Sequence, residues 1–229
     1  MKKILVVASL LVATLCASAQ DIFDSRENKA YFGARISYEL ACPGDFKINS
    51  TLKADILNNG SGLSFGGIYH MPVWKNLYFE PGFSFYYNTY ALNQSLIKEE
   101  MEEIFGEPIR GGFDHASIRQ FGIRIPLNVG YHFDVLPDLQ ISVFTGPEVN
   151  IGFSADAYIT INNFHTSGSV YGKEGMLNRC DIKWRFGVGA TFMHHYYAAI
   201  SGAAGMCDLA KDKLSMHSNL FDITLGYNF

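Results

Sequence analysis

Eight ionisable side chains, four acidic and four basic, lie at alternate positions in segments of this sequence whose other face is apolar. Side chains that alternate in this way along β-strands point to one common face. Brought together in one interior, they could form a plug of ion pairs and hydrogen bonds, or they could line a gated ion path or a ligand site. We expect the plug, because equal numbers of opposite charges neutralise each other. The eight are Arg35, Glu39, Glu80, Arg124, Glu148, Lys183, Arg185 and Asp222.

Cysteine and histidine offer a second kind of chemistry. Cys180 and Cys207 flank two segments that are expected to pair, so a disulfide between them is possible in an oxidising compartment. Cys42 is the third cysteine outside the N-terminal segment, and an odd number leaves at least one thiol free; incidental free thiols are the alternative. The seven histidines show no metal-ligand spacing, and no phosphate loop, dinucleotide-binding motif or nucleophile elbow is present. We therefore expect no metal, no cofactor and no enzymatic activity.

The composition excludes several classes of protein. Hydrophobic residues make up 48% and charged residues only 17% of the 229 positions, and the mean hydropathy is +0.05. No interior window holds the ~18 consecutive apolar residues of a membrane-spanning helix, and disorder would require lower hydrophobicity and more charge. A net charge of −4 and a pI near 5.9 provide no basic surface for nucleic acid. An aromatic-rich soluble β-protein and a β-barrel remain.

Strands must position the ionisable side chains, and eight segments alternate apolar and non-apolar residues with the period of two that is typical of a strand. The clearest is Gln120–Phe133, in which every odd-numbered position is apolar and the even-numbered positions hold Gln, Gly, Arg, Pro, Asn and His. The weakest is Tyr196–Met206, which is mostly Ala, Gly and Ser, and its register stays open. The other six are Ala30–Leu40, Gly62–Val73, Leu77–Thr89, Leu139–Ser154, Asp181–Met193 and Asn219–Phe229.

The connections between these segments alternate in length. The short ones are Trp74–Asn76, Asp134–Asp138 and His194–His195, and the long ones are Ala41–Ser61, Tyr90–Arg119, Ala155–Cys180 and Cys207–Ser218. Short periplasmic turns, longer outer loops and an even number of strands are typical of bacterial outer-membrane barrels. We therefore predict an all-β fold, an eight-stranded antiparallel transmembrane β-barrel with short periplasmic turns and long outer loops.

The two faces of the segments support the same fold. The apolar face is the bulkier one, which suits a wall towards lipid around a polar interior, whereas charges packed into a soluble core would be costly. The interior of an eight-stranded barrel is just wide enough for side chains to fill it, which favours the plug over an open channel. Aromatic residues near the segment ends fit the girdles at the membrane interfaces. They are Tyr31, Phe32, Trp74, Tyr131, Phe133, Tyr196 and Tyr227.

The N-terminus predicts export. Lys2 and Lys3 precede a short apolar run, and Ala17-Ser18-Ala19 forms a cleavage site, so residues 1–19 read as a signal peptide and residues 20–229 as the outer-membrane barrel domain. One helical pattern follows later, in the long connection at Leu96–Phe105, where apolar and glutamate-rich faces separate. This segment is either a recognition element or lid, or a helix with a solvated acidic face, which is the commoner case.

Two stretches resemble a known group of proteins. Phe121-Gly-Ile-Arg-Ile-Pro-Leu-Asn-Val-Gly-Tyr-His-Phe133 is similar to an Ile-Pro-Leu strand of small outer-membrane β-barrel domain proteins of the porin family and PorT-like group, and more loosely of OmpA- and OmpX-type barrels. Leu225-Gly-Tyr-Asn-Phe229 resembles their C-terminal assembly signal. The resemblance implies that Leu225, Tyr227 and Phe229 address the barrel assembly machinery, and that outer-membrane lipid surrounds the protein.

Three functions are compatible with this reading. The leading one is a non-enzymatic structural or surface-interaction role through the outer loops. The alternative is a PorT-like secretion or transport accessory component, and the third is a membrane-embedded enzyme acting on lipid. His115-Ala-Ser117 resembles the His-x-Ser of an outer-membrane lipid A deacylase, but no acid lies near residue 128, where the resemblance would require one. The enzyme is therefore rejected.

Overall fold

The computed structural model describes most of the chain from residue 29 onwards. The described residues are 29–44, 46–47, 53–54, 57–93, 113–161, 164–171, 175, 177–209 and 216–229. The predicted signal peptide and the predicted helix at Leu96–Phe105 lie outside these ranges and stay predictions. Within the described residues, no helix is long and apolar enough to cross a membrane.

Eleven strands make up the described secondary structure. Eight of them correspond to the eight segments predicted from the alternation, and most extend beyond the predicted ends. Two short strands form a separate hairpin, and one further strand pairs with the far end of β7. The strands are β1 Tyr31–Pro43, β2 Phe46–Lys47, β3 Lys53–Ala54, β4 Leu57–Trp74, β5 Leu77–Leu92, β6 Phe113–Leu136, β7 Leu139–Ile161, β8 Phe164–Ser169, β9 Cys180–Phe192, β10 Tyr196–Gly205 and β11 Ser218–Asn228.

The eight long strands close into a ring. Their order is β6-β5-β4-β1-β11-β10-β9-β7, and pairing of β6 with β7 completes the circle. Every pairing is antiparallel. In β10, the strand with the weakest sequence pattern, Ile200 lies opposite Val188 on one side and Ile223 on the other. The predicted eight-stranded antiparallel β-barrel is confirmed, and the register of its seventh strand is defined.

The short connections are tight turns at one end of the barrel. Lys75, in the β4–β5 turn, and Met193 and His194, in the β9–β10 turn, have positive φ angles of 46°, 50° and 64°. Two successive residues with positive φ are the backbone form that matches the right-handed twist of a β-hairpin. The Asn76 side chain donates a hydrogen bond to the His132 carbonyl at 3.0 Å, so the β4–β5 turn is fastened to β6.

The outward face of the wall is apolar and the inward face is polar, which is the reverse of the arrangement in a soluble barrel. Along β11, buried and exposed residues alternate almost without exception. Asp222 and Thr224 point into the barrel, whereas Phe221, Ile223 and Leu225 point outwards. The same arrangement holds around the ring, where the outward side chains include Phe65 at 64% exposure and Phe186 at 55%. The charged positions therefore face the lumen.

An apolar cluster fills the lumen at the end where the long connections lie, which the sequence pattern did not predict. Inward residues of the strand ends pack there against residues of the connections, such as Leu177, Leu209 and Met216. Tyr171 belongs to the cluster, and its hydroxyl accepts a hydrogen bond from the Gln120 amide at 2.5 Å. Burial raises the pKa of Tyr171, which keeps the hydroxyl neutral. The long-loop end of the barrel is therefore closed by packed side chains.

Inward glycines make room for tyrosine rings at two places in the wall. A Cβ atom on Gly130 would lie 2.2 Å from Cζ of Tyr78, and one on Gly122 would lie 2.7 Å from the hydroxyl of Tyr86. Each tyrosine comes from β5, and each glycine from the neighbouring β6. A strand glycine often marks such a close approach, and here it allows large rings to fill a narrow lumen.

Replacing Gly130 by alanine should therefore destabilise the barrel. We expect Gly130→Ala to lower the free energy of unfolding by about 1–3 kcal/mol, because the Tyr78 ring must move within a packed interior. Gly168→Ala is the control, since a Cβ there meets no atom within 4 Å. Urea titration of the refolded protein in detergent measures both, and equal losses in the two variants would contradict the close packing.

Candidate functional site

A chain of five buried ionisable residues crosses the middle of the lumen, and we call it the lumen ion-pair chain. Arg124 donates to Glu39 through both terminal nitrogens, with 3.1 Å between Nη2 and Oε2. Its Nε lies 3.1 Å from Oε1 of Glu148. Arg185 then bridges Glu148 and Asp222, with 2.5 Å from Nη1 to Oε2 and from Nη2 to Oδ2. Acids and bases alternate along the chain, so each arginine serves two carboxylates.

The lumen ion-pair chain begins and ends on neighbouring strands. Glu39 on β1 and Asp222 on β11 are directly opposite each other in the β-ladder. Like charges at such positions repel, and the two arginines that separate them come from β6 and β9. Ser201 donates to Asp222 at 2.9 Å, and Thr224 also donates to Asp222 at 2.9 Å. The two hydroxyl groups thus satisfy Oδ1 of Asp222, the oxygen that Arg185 does not contact.

The other three predicted lumen residues lie inside the barrel but outside this chain. Lys183 donates to Ser218 at 3.1 Å and lies 3.7 Å from the Asp181 carboxylate. The Arg35 guanidinium stacks on the Tyr197 ring, 4.1 Å from its centroid. Glu80 faces His70, with 3.6 Å between Oε2 and Nδ1.

Three ionisable residues of the lumen were missing from the predicted set. Asp181 is 5% exposed and precedes Lys183 by two positions, so the same alternation would have found it. His70 and His132 are 0% and 4% exposed and also occupy inward positions. Among the described residues, the predicted set together with Asp181 contains five acids and four bases.

Four aromatic rings close the lumen towards the short turns. His70 stacks on Tyr31 with 4.4 Å between centroids, and Tyr78 stacks on His132 at 4.2 Å. The His70 and His132 centroids are 5.0 Å apart. The placement of Tyr31 in an interfacial girdle was therefore wrong: it occupies the same face of β1 as Arg35, and its ring packs inside. We call these four rings the ring stack.

Two cavities lie on either side of the ring stack. An open cavity of about 580 Å³ at the short-turn end is lined by residues that include Tyr31, His132 and Asn228. Inside the barrel, a cavity of about 60 Å³ is lined by Arg35 and Asn128 among others. Nη2 of Arg35 and Oδ1 of Asn128 have no hydrogen-bond partner among the residues that the structure describes. The inner cavity is polar and roomy enough for ordered water.

The remaining predicted positions lie at the two ends of the barrel. Cys180 and Cys207 are free thiols, as is Cys42, so the structure has no Cys180–Cys207 disulfide. Leu225, Tyr227 and Phe229 are all exposed on the outer face at the short-turn end, and the Phe229 amide donates to the Phe32 carbonyl at 2.8 Å.

The His115–Ser117 pair lies within β6, which corrects its place in the predicted long connection Tyr90–Arg119. Ser117 is opposite Tyr158 of β7 on one side and Ala91 of β5 on the other. β6 and β7 are 24 and 23 residues long and continue past the other strands, which explains the difference. In the described part of the chain, no group of three or more His, Cys, Asp and Glu side chains is placed to hold a metal ion.

The geometry defines a closed eight-stranded barrel with an apolar outer wall, a charged interior and one sealed end. No family model and no curated protein matches the sequence. Solved structures similar to this chain include the attachment invasion locus protein Ail of Yersinia pestis, with 11% identity, a TM-score of 0.40, and coverage of 88% of this chain and 99% of that one. Neisserial surface protein A has 10% identity, a TM-score of 0.43 and coverage of 88% and 99%.

A third similar structure is the N-terminal β-barrel domain of OprF from Pseudomonas aeruginosa. Its identity is 15%, its TM-score is 0.30, and the alignment covers 85% of this chain and 97% of that one. The number of strands and the closure of the ring follow from this chain's own strand pairing.

Removing one arginine from the lumen ion-pair chain should be strongly destabilising. Arg185→Met leaves Asp222 and Glu148 short of a buried partner, so we expect the free energy of unfolding to fall by about 3–5 kcal/mol. Arg119→Met is the control, because Arg119 is exposed and only stacks on Tyr158, for which we expect a loss of at most about 1 kcal/mol.

A double variant separates the ion pair from the effect of side-chain size. Arg185→Met combined with Asp222→Leu removes both charges, so it should be more stable than Arg185→Met alone, because no carboxylate is left uncompensated at that end. Urea titration in detergent measures all variants. If Asp222→Leu lowers the free energy of unfolding by the same amount in the Arg185→Met variant as in the wild type, the two residues are not coupled, and this result would contradict the ion pair.

Proposed function

We propose that the chain is a non-enzymatic outer-membrane β-barrel protein with a structural lumen, which acts at the cell surface through its long loops. The observation that carries the proposal is the polarity of the wall: large apolar side chains point outwards and charged ones point inwards. In water, the exposed Phe, Ile and Leu residues would form one continuous apolar surface, which soluble monomers avoid. In a lipid bilayer the same surface is stable, and a closed barrel satisfies every backbone group.

The contents of the lumen support a structural role for the interior. The lumen ion-pair chain joins five of the eight barrel strands across the middle, and the apolar cluster seals the long-loop end. Arg124, Arg185 and their carboxylates are committed to one another, which leaves them unsuited to acid–base chemistry. A filled lumen also argues against a pore for solutes.

The long connections are the candidate contact surface. The strand ends that they join all lie at the sealed end, opposite the short turns, where outer-membrane barrels have their extracellular loops. The extensions of β6 and β7, together with β8, carry a three-stranded sheet past the rest of the wall. A partner at the cell surface would meet this end first, and loops are where recognition residues tend to lie.

The outward residues Leu225, Tyr227 and Phe229 support assembly through the barrel assembly machinery. They share one face of the last strand, and their exposures are 58%, 41% and 74%. A row of apolar side chains on the terminal strand is accessible to an assembly partner before the barrel meets lipid. This use of the C-terminus is the role implied by its resemblance to assembly signals.

Location and conductance test the proposal together. We expect the full chain, expressed in a Gram-negative host, to float with the outer-membrane fraction and to change gel mobility on heating, because a closed barrel stays folded in detergent until boiled. In a planar lipid bilayer, the purified protein should give no stable conductance. A soluble periplasmic pool would contradict the location, and stable single-channel events would contradict the structural lumen. Co-purification with a secretion complex would instead favour the PorT-like accessory role.

The C-terminal aromatic residue should matter for assembly more than for stability. We expect Phe229→Ala to lower the amount of folded barrel in the outer membrane several-fold, while the purified variant refolds in detergent like the wild type. Its backbone bond to Phe32 survives the change. Phe192→Ala is the control, since Phe192 is also an exposed aromatic at the short-turn end. Equal membrane yields for both variants would remove Phe229 from the assembly role.

A further inference from the structure

The strand β8 forms an edge of the barrel sheet at the long-loop end. Its residues Phe164–Ser169 pair with β7 on one side, and no strand in the described part of the chain pairs with the other side. The eight strands of the ring have a neighbour on each side, because the ring is closed. β8 is therefore a place where a further strand can join the sheet.

The ladder between β7 and β8 decides which main-chain groups point to this edge. Val170, which follows β8, donates its amide to the Ala155 carbonyl at 2.7 Å, so these opposite residues form a hydrogen-bonded pair. Such pairs alternate with non-bonded pairs along an antiparallel ladder, and the register of β8 continues from this pair without a shift. The odd-numbered residues of β8 therefore direct their amides and carbonyls away from β7. They are His165, Ser167 and Ser169.

The side chains of β8 leave this edge accessible. Natural edge strands are usually blunted by lysine, proline, a bulge or an inward charge, and Phe164-His-Thr-Ser-Gly-Ser169 has none of these. The residues from 165 to 169 are all exposed. A Cβ atom on Gly168 would meet no atom within 4 Å, so there is space beside Gly168 for a side chain of an added strand.

The two faces of the extension define the chemistry of a strand that fits beside β8. On the inner face, Gly168 lies opposite Ala157, which packs against the apolar cluster. On the outer face, Ser167 lies opposite Tyr158, and both are exposed. An added strand continues both faces, so it fits when apolar side chains alternate with hydroxyl-bearing ones.

The tilt of the strands disfavours a second copy of this chain at the same edge. Strands of outer-membrane barrels are tilted by about 35–45°. In two copies that share one membrane and are related by a two-fold axis along its normal, the β8 strands are tilted in opposite directions. They then cross at about 70–90°, which is too steep for a ladder. The edge therefore fits a free segment of chain better than another barrel.

We propose that the edge of β8 binds an extended segment of a partner protein by β-strand addition. The main-chain groups of His165, Ser167 and Ser169 provide the hydrogen bonds, and the space beside Gly168 receives an apolar side chain of the segment. In this mode of recognition the main chain gives affinity and the alternate side chains give specificity. Binding of this kind rests on the surface role proposed above, because the partner must reach the long-loop end.

Amide exchange in the free protein tests whether the edge is open. In the full chain, ¹⁵N-labelled and refolded in detergent, the amides of His165, Ser167 and Ser169 should exchange at least about tenfold faster than those of Thr166 and Gly168, which bond to β7. Equal protection of the two sets would mean that another part of the chain covers the edge, and it would overturn the proposal.

A short soluble peptide of alternating valine and threonine is the probe for strand addition. At saturation it should slow the exchange of the three outward amides at least about tenfold. Ser167→Pro removes one outward amide and spares the ladder to β7, since proline is tolerated on an edge whose amide faces solvent. It should weaken peptide binding about tenfold, the cost of one hydrogen bond. Ser167→Ala is the matched control, because it keeps the main chain, and it should bind as the wild type does.

Two results of the peptide experiment would contradict strand addition. Equal binding to folded Ser167→Pro and Ser167→Ala would show that the outward main chain is not used. A dimer of the peptide-free protein that Ser167→Pro abolishes would assign the edge to a second copy instead. The cellular location of the full chain is measured separately, so a soluble pool would reject the surface role while peptide binding in detergent still reports on the edge.

Discussion

Two carboxylates opposite each other at the closure of the barrel set the main constraint on this structure. Glu39 and Asp222 face one another where the first and last barrel strands pair, and neither can be buried there as an ion without a partner. Arg124 and Arg185 reach them from β6 and β9, neither of which pairs with β1 or β11. Every register around the ring must therefore be correct before both arginines find both acids. Buried ion pairs add little net stability, so we attribute to them a role in specifying how the ring closes.

The polarity of the interior changes along the barrel axis. The ring stack occupies the short-turn end, the lumen ion-pair chain the middle, and the apolar cluster the long-loop end. Tyrosine rings fit between the charged groups because glycines such as Gly122 and Gly130 leave space on the neighbouring strand. The outward face of the wall carries large apolar side chains in every part of the ring, which is the surface that the proposed location in lipid requires.

The alternation of apolar and polar residues was sufficient to predict the strands of the wall, but not the contacts between the side chains inside it. Gln120–Phe133 shows its two faces directly, and even β10, with its small residues, was found because its neighbours required a partner. The same parity placed Arg124 and Glu39 inside but could not pair them, since contacts across a lumen depend on the diameter and stagger of the closed ring. The apolar cluster was missed because Leu177, Leu209 and Met216 come from irregular connections that have no period to read.

The two ends of the barrel differ in whether the lumen is closed. The apolar cluster closes the long-loop end, whereas His132 borders a cavity that is open at the short-turn end. The cavity at the short-turn end and the proposed contact surface of the loops therefore lie at opposite ends of the barrel. The packed cluster and the ion-pair chain lie between the two ends. Since one fold can serve many roles, the loop sequences can vary without disturbing the charges that close the ring.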